Sequence, residues 1–279
     1  MTVAVELPLP HMDARSCAGI TLLTDDALAS SVGVRAAFTG AAGGVSAPPY
    51  QGLNLGSHVG DDLGAVERNR GLLLQALGVP DAQLIVPNQV HGVELVDVPS
   101  RDEVAVEAAR AQAQQEADGL VVTAPDVAAL LCFADCLPLV MVSPDGSFAV
   151  VHAGWRGAVA GIAGLAARRL EAVSGCSAAG FNAYIGPHIR QECFQTGRDV
   201  AGRFLQAFGP ACVPDPDHVS LAEAVATDLE RAGLVPERIW DAGVCTKCHP
   251  HDYYSYRASG GVCGRHGAIA VRTEGRSWA

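Results

Sequence analysis

The sequence predicts an α/β fold in which a single domain is built around a mixed β-sheet. Short apolar runs typical of buried strands alternate with longer segments whose apolar residues recur at helical spacing. The chain has 279 residues, of which 49% are hydrophobic, and this supports a substantial core. No internal repeat, heptad array or linker interrupts the alternation. We therefore expect a single catalytic α/β domain over residues 31–279. It is preceded by an N-terminal arm, residues 1–30, in which the apolar residues show no strong periodicity.

The first predicted elements are a strand, a long loop and a helix. Residues 34–40, VRAAFTG, are typical of a strand. The glycine-rich residues 41–62 predict a loop, which either forms part of a site, as long ordered loops often do, or is disordered at the surface. Asp62 precedes a segment of helical periodicity and Gly78 follows it, so the sequence predicts a helix between these two residues.

The strongest strand signals lie in the middle of the chain. Before them, residues 83–98 predict two short extended pieces, and the alanine-rich residues 102–117 are either helical or mobile. The runs VAALLCF, LPLVMVS and SFAVVHAG then predict three strands, with a Pro-Asp-Gly turn between the second and the third. The remaining predicted elements are a helix in VAGIAGLAARRLEAVSG, a strand in FNAYIGP, helices near residues 197–208 and 220–232, a strand in RIWDAGVC and a closing strand in GAIAVR.

Composition excludes several classes of function. The formal net charge of −11 argues against a general nucleic-acid or anionic-membrane surface, because both require a basic footprint. The longest apolar run is too short to span a bilayer, and the N-terminal residues lack a secretory-signal pattern, so we expect a cytoplasmic protein. The nine cysteines have irregular spacing, which predicts reduced thiols and not a disulfide framework.

Three candidate metal ligands lie at the ends of strand-like segments. They are His91 in NQVHG, Cys136 in ADCLP and His152 in VVHAG. Two imidazoles and one thiolate suit Zn²⁺ and leave a fourth tetrahedral position open, as in catalytic zinc sites. Their separations do not match a local metal-binding motif, so structural histidines and an ordinary buried thiol remain the alternative.

A second group of possible ligands occurs in CTKCHPHDYYSYR. This segment resembles half of a zinc knuckle, with four donors: Cys245, Cys248, His249 and His251. Cys263 and His266 are the nearest further donors along the chain. A structural zinc site formed from these residues is a second hypothesis.

An ordered set of short motifs identifies a family. The motifs NLGSHVGDD, VERNR, NQVHG, ADGLV, ADCLPL, HAGWRG, IGP, and YYSYR followed by GR resemble the family named multicopper polyphenol oxidase, laccase-domain protein or purine nucleoside phosphorylase, over about residues 34–272. The resemblance implies a single α/β domain with mixed β-sheets sandwiched by helices. It also implies that His91, Cys136 and His152 bind one zinc ion. Copper is not expected, because nine scattered histidines do not supply a multicopper cluster.

The same resemblance implies an activity. Members of the family split adenosine, inosine, guanosine and methylthioadenosine with phosphate, giving the base and ribose-1-phosphate, and they deaminate adenosine. The expected partners are therefore purine nucleosides and phosphate, and we expect a monomer or a small homo-oligomer. The alternatives are a zinc-dependent hydrolase or amidase acting on a non-nucleoside substrate, and a copper-dependent polyphenol oxidase.

Two arginines and an aspartate are the candidates for handling phosphate and protons. Arg156 leaves its strand four residues after a candidate ligand and is the first choice for a catalytic phosphate clamp, and Arg70 is the second. Asp135 is either a general acid/base or a carboxylate that orients a ligand histidine.

Four other residues are candidate substrate contacts. Asn54 either contacts the nucleoside or forms a turn, and Trp155 either stacks on the purine or packs in the core. Tyr256 and Arg257 belong to a family motif and either bind substrate or hold the last strands together.

Overall fold

The computed structural model describes residues 6–273. Within this range twelve strands form two six-stranded sheets, and both sheets contain parallel and antiparallel pairs. The predicted α/β fold with mixed β-sheets is therefore confirmed. The residue pattern alone predicted one sheet. The chain enters a second sheet directly after β7 (Val127–Phe133), because the next strand, β8 (Leu137–Val142), pairs there.

The strands of the two sheets have the following bounds. Sheet 1 contains, in spatial order, β1 (Asp13–Cys17), β2 (Ile20–Thr24), β3 (Val34–Thr39), β12 (His266–Arg272), β7 (Val127–Phe133) and β4 (Gln83–Ile85). Sheet 2 contains β11 (Ile239–Asp241), β10 (Asn182–Ile185), β8 (Leu137–Val142), β9 (Phe148–Ala153), β6 (Gly119–Val122) and β5 (Leu95–Val98).

Eight α-helices accompany the sheets in the described part of the chain. They are α1 (Asp26–Val32), α2 (Leu63–Ala76), α3 (Glu103–Gln115), α4 (Trp155–Val159), α5 (Ile162–Ser174), α6 (Arg198–Phe208), α7 (Leu221–Arg231) and α8 (Tyr256–Ser259). The carboxylate of Asp62 accepts hydrogen bonds from two backbone N–H groups at the start of α2, as the sequence predicts. Asp102 caps α3 in the same way, so the alanine-rich segment is helical.

The two sheets pack face to face around a shared apolar core. Phe38 and Leu131 of sheet 1 belong to the same buried cluster as Val140 and Val150 of sheet 2. The outer face of sheet 1 is covered by α2, and that of sheet 2 by α4 to α7. Because both faces of the central strands are covered, β7 and β8 are apolar along their whole length, β9 is apolar except for His152, and none of the three shows alternation.

Two segments contain elements that the sequence did not predict. The predicted arm, residues 1–30, begins outside the described range, but its later residues form β1, β2 and α1, and β2 pairs with β3. The helix predicted from VAGIAGLAARRLEAVSG is α5, and a further short helix, α4, precedes it; Gly161 separates the two helices at a φ of +79°. No helix in residues 6–273 has the length and apolar character needed to cross a membrane.

Candidate metal centre and active-site cavity

The structure brings His91, Cys136 and His152 together at one end of the two sheets. Their potential ligand atoms all lie within 4.8 Å of one another. The two imidazole rings meet edge to face, with their centroids 4.8 Å apart. Three separate segments thus supply the donors: the loop after β4, the turn that leads from β7 to β8, and the end of β9.

A buried carboxylate holds both histidines. Asp118 is fully buried, and its Oδ1 atom lies 2.7 Å from Nδ1 of His152 and accepts a 2.9 Å hydrogen bond from the backbone N–H of His91. Its Oδ2 atom accepts hydrogen bonds from the backbone N–H groups of Val90 and Gly92. A ligand histidine is commonly oriented by a carboxylate through its second ring nitrogen, and Asp118 occupies this place for His152. The Nε2 atom of His152 therefore remains free for a metal.

Sequence reasoning missed Asp118 as a functional residue. It lies in the motif ADGLV, immediately before β6, where a carboxylate precedes an apolar strand. The motif contributed to the family resemblance, but nothing local indicates that this carboxylate faces a histidine 34 residues away.

Glycines allow helix α4 to approach the three donors. A Cβ atom at Gly154 would lie 2.7 Å from Cδ2 of His91 and 3.4 Å from Sγ of Cys136. A Cβ atom at Gly157 would lie 2.7 Å from the carbonyl oxygen of Gly92. The motif HAGWRG thus combines a candidate ligand, His152, with two glycines. A side chain at either glycine would push the neighbouring loop or the other candidate ligands away.

The donors are electrostatically coupled. Burial raises the pKa of the Cys136 thiol, but the charge of His152 and hydrogen bonds from both histidines outweigh it and lower this pKa to about 6. Burial lowers the pKa of His152, but the Cys136 thiolate and Asp118 raise it to about 9. At neutral pH the metal-free site therefore contains a thiolate beside an imidazolium.

These residues lie in the wall of a cavity of about 380 Å³. The other residues that line it include His58, Gln89, Asp135, Trp155, Arg156, Phe194, Tyr256, Arg257 and Arg265. Its volume falls within the range of about 300–1,000 Å³ found for small-molecule sites. Three arginines around a small cavity, in a chain with a net charge of −11, create a local site for an anion.

Of the three arginines that line this cavity, Arg156 is the one whose guanidinium makes no hydrogen bond within residues 6–273. Its guanidinium lies over the ring of Trp155, with Cζ 4.4 Å from the ring centroid. It makes no hydrogen bond or ion pair with any residue of the described range 6–273, and it is exposed. Trp155 itself is half-buried and lines the cavity beside the apolar core. The guanidinium is therefore available to a ligand.

Arg70 and Asn54 lie next to this cavity and are engaged with the protein. The guanidinium of Arg70 donates to the carbonyl of Leu55 and to Glu67, and it lines an adjoining cavity of about 210 Å³. Asn54 is fully buried, and its Oδ1 atom accepts a 2.8 Å hydrogen bond from the backbone N–H of Arg265. In this structure Asn54 forms a turn, which is one of the two roles that the sequence left open for it. It also positions the backbone of Arg265.

Asp135 is buried in the turn between β7 and β8, and both carboxylate oxygens are used. One accepts a 2.6 Å hydrogen bond from the hydroxyl of Thr246, and the other a 2.7 Å bond from the backbone N–H of Arg257. Of the two roles that the sequence left open for Asp135, the structure gives the contact with a candidate ligand histidine to Asp118, and a role as general acid/base stays a prediction. Asp135 instead connects this turn to the segment that carries Tyr256, whose side chain is 55% exposed at the cavity.

Two further cavity residues were not singled out from the sequence. Gln89 forms two hydrogen bonds with the backbone of Cys132, at 2.9 and 2.8 Å, and so attaches the loop before His91 to the end of β7. The pKa of His58 is lowered by burial and then by the positive charge of Arg265, so its imidazole is neutral. His58 and Gln89 lie inside quoted family motifs, which is the one signal that pointed to them.

The second predicted zinc site is assembled differently from the expectation. Cys263 packs in a small apolar cluster, and the ring of His266 lies buried against Phe133, so neither residue joins the C-x₂-C pair. Cys245 and Cys248 instead lie beside Glu192 and Cys193, which are distant in sequence. The sequence left the partner donors open, and in the structure the turn after β10, and not the segment before β12, packs against these cysteines.

Comparisons with known proteins agree with the motifs. A protein named purine nucleoside phosphorylase from Deinococcus radiodurans is 36% identical over 255 residues, covering 89% of this chain and 94% of that protein. Purine nucleoside phosphorylase YlmD from Geobacillus stearothermophilus is 32% identical over 254 residues, covering 87% and 91%. The crystal structure of YlmD has a TM-score of 0.81 at 28% identity, covering 93% of this chain and 98% of that one.

A second solved structure and a family model give the same result. The crystal structure of the Bacillus licheniformis hypothetical protein YfiH has a TM-score of 0.82 at 26% identity, covering 93% of this chain and 99% of that one. The family model described as multi-copper polyphenol oxidoreductase laccase matches residues 35–273. The predicted family is therefore confirmed: this chain belongs to the laccase-like family whose curated members include proteins named purine nucleoside phosphorylase.

Proposed function

We propose that this chain is a zinc-dependent purine nucleoside phosphorylase that also deaminates adenosine. One observation carries the proposal: a cavity of nucleoside size has three metal donors on one wall and three arginines around it. Three metal donors alone would fit a hydrolase as well as a phosphorylase, and the arginines favour the phosphorylase because it must also bind phosphate. The names of two relatives with 36% and 32% identity support the same choice.

The donor set fits zinc. Two imidazoles and a thiolate are borderline-soft ligands, and the carboxylate of Asp118 already orients His152 for coordination. A zinc ion held there would supply a Lewis acid with one open coordination position. Multicopper chemistry fits poorly, because no group of close metal donors within residues 6–273 contains more than two histidines.

The residues of the cavity have distinct proposed roles. Arg156 binds phosphate, since its guanidinium has no polar partner among the described residues, and Arg257 and Arg265 add positive charge. Tyr256 and Trp155 provide flat surfaces for the purine. Burial and the charge of Arg265 lower the pKa of His58, and the charge of Arg70 lowers it further. Asn54 positions Arg265, and Asp135 positions the segment of Arg257.

The test is a chromatographic product assay of the purified, zinc-loaded protein with adenosine, with and without phosphate. Adenine and ribose-1-phosphate that form only in the presence of phosphate would support phosphorolysis. The absence of turnover with adenosine, inosine, guanosine and methylthioadenosine would overturn the proposal and favour a hydrolase acting on another substrate.

Deamination is tested in the same assay by the formation of inosine. Attack of water on C6 of adenine needs a group that accepts a proton, and the neutral imidazole of His58 lies in the cavity wall. Phosphorolysis without any inosine would remove this second activity and leave the first in place.

Arg156→Ala is expected to weaken phosphate binding selectively. Hydrogen bonds to charged groups contribute about 1.5–3 kcal/mol, so the KM for phosphate should rise by about 10- to 150-fold. The KM for adenosine should change much less. Both KM values are measured from initial rates, at varied phosphate concentration for one and at varied adenosine concentration for the other. Arg198→Ala, which removes another exposed arginine from α6 outside the cavity, is the control and should change neither constant. Equal rises in both KM values would contradict the assignment.

Zinc binding should release a proton at pH 7. The pKa of His152 is raised to about 9, so its imidazole is protonated at pH 7 and must lose this proton to coordinate a metal, whereas Cys136, with a pKa of about 6, is already a thiolate. Affinity should therefore rise by about tenfold per pH unit between pH 7 and pH 9 and then level off.

Isothermal titration calorimetry in buffers of different ionisation enthalpy measures the proton release directly. About one proton per zinc ion at pH 7 is expected, and more below pH 6, where the Cys136 thiol is also protonated. Affinity that does not change between pH 7 and pH 9 would show that His152 binds as a neutral base throughout.

A further inference from the structure

Three thiols and a carboxylate form a second cluster, which begins one residue before Phe194 of the cavity wall. The cluster contains Cys193, Cys245, Cys248 and Glu192, and one potential ligand atom from each lies within 4.8 Å of the others. Cys245 is buried, Cys193 is half-buried, and Cys248 and Glu192 are exposed. None of these four residues belongs to the His91, Cys136 and His152 group.

The spacing of the sulfur atoms suits a shared cation. Sγ of Cys193 and Sγ of Cys248 are 3.4 Å apart, and both thiols are free. With zinc–sulfur bonds of about 2.3 Å, two sulfurs of a tetrahedral site lie about 3.8 Å apart, whereas a disulfide requires about 2.05 Å. The pair is therefore close to coordination distance without being bonded.

The backbone around these residues is already arranged for ligation. Cys245 and Cys248 have the C-x₂-C spacing found in structural zinc sites. The backbone N–H of Arg190 points at Sγ of Cys245 at a distance of 3.4 Å, a contact that is strengthened when the sulfur is a thiolate. Cys193 follows in the same turn, since its N–H donates to the carbonyl of Arg190.

We infer that Cys193, Cys245 and Cys248, with the carboxylate of Glu192 as fourth ligand, form a second, structural zinc site. Each coordinating thiol gives up its proton to solvent when the metal binds. Four protein ligands complete the tetrahedron, so this site has no position for substrate, in contrast to the three-ligand group at the cavity.

The position of the site explains what it would stabilise. It connects the turn at residues 190–193, which continues into Phe194 of the cavity wall, to the segment that holds Thr246. Thr246 donates its hydroxyl to the carboxylate of Asp135. A metal at this place would tie together two chain segments that shape the cavity.

The test counts metal ions in a protein whose other site has been removed. Metal-free Cys136→Ser protein, reduced and kept without oxygen, is titrated with Co²⁺ and then with Zn²⁺. One equivalent of Co²⁺ is expected, with thiolate-to-cobalt charge-transfer absorption and the visible bands of a tetrahedral site, and Zn²⁺ should displace it. The absence of bound Co²⁺ in this protein would overturn the inference.

Matched variants identify the ligands. In the Cys136→Ser background, Cys248→Ser should lower the affinity for Co²⁺ by at least about 100-fold, since a thiolate ligand is lost. Cys17→Ser removes a half-buried thiol of β1 and should leave binding unchanged. Unchanged binding in the Cys248→Ser protein would contradict the inference.

Two measurements on protein that retains Cys136 complete the test. Zinc content should fall by one ion per chain in Cys248→Ser relative to the wild type. Peptide mapping of anaerobically purified, zinc-supplemented protein should recover Cys193 and Cys248 as free thiols. A disulfide between them in this preparation would overturn the inference and assign the cluster to redox chemistry.

Discussion

Replacing Cys136 with serine is expected to abolish phosphorolysis. The thiolate is one of three donors within 4.8 Å, and the remaining two imidazoles make a much weaker zinc site. A metal Lewis acid contributes several kcal/mol of transition-state stabilisation, so the rate should fall by at least about 10³-fold. The measurements are initial rates of adenine formation and zinc content after dialysis.

The variant should remain folded, because Cys136 is only half-buried in a turn and serine is nearly the same size. Cys176→Ser is the matched control: it changes another half-buried thiol, at the edge of the core under sheet 2, and should keep both zinc and activity. Retention of zinc at the cavity together with activity within tenfold of the wild type would exclude Cys136 as a ligand.

Asp118→Asn is expected to lower both the affinity for zinc and the free energy of unfolding. The fully buried carboxylate contacts the ring of His152 and accepts hydrogen bonds from three backbone N–H groups. In the variant, the NH₂ group of the asparagine amide would face a hydrogen-bond donor, so at least one of these donors would lose its acceptor. Zinc affinity should fall by about 10- to 100-fold, and the free energy of unfolding by about 2–4 kcal/mol. Competition with a zinc chelator and urea denaturation measure the two effects.

Asp97→Asn provides the control for this change. Asp97 lies in β5 next to the strand that follows Asp118, but it forms a partly exposed ion pair with Arg169. Such surface pairs contribute about 1 kcal/mol or less, so stability should change little and zinc affinity not at all. If Asp118→Asn lowers stability but leaves zinc affinity at the wild-type value, Asp118 supports the fold without orienting a ligand.

Many elements of the fold could be predicted because their signals are local. The apolar runs of β7, β8 and β9 and the carboxylate cap of α2 each lie within a few residues of the element they define. The arm before residue 31 was harder to interpret, because β1 is exposed along much of its length and therefore lacks an apolar pattern. Its role became visible only when β2 paired with β3.

The candidate site was predicted in part. His91, Cys136 and His152 could be selected because each is a metal-binding residue type at a strand end, and the family resemblance grouped them. The residues that orient or surround them were missed or assigned differently. Asp118, and not Asp135, is the carboxylate on His152, and Arg265, which is marked in the sequence only by the GR pair of the family motifs, joins Arg156 in the cavity.

The sequence by itself thus determined the α/β class, most strands and helices, the family and the three donors at the cavity. Only the tertiary structure decided that two sheets share one core, that Asp118 faces His152, and that Cys193 joins the C-x₂-C pair. The physical reason is the range of the interactions. Strand, helix and cap preferences act between neighbours in the chain, whereas a carboxylate on an imidazole or a third thiol beside two others depends on which distant segments pack together.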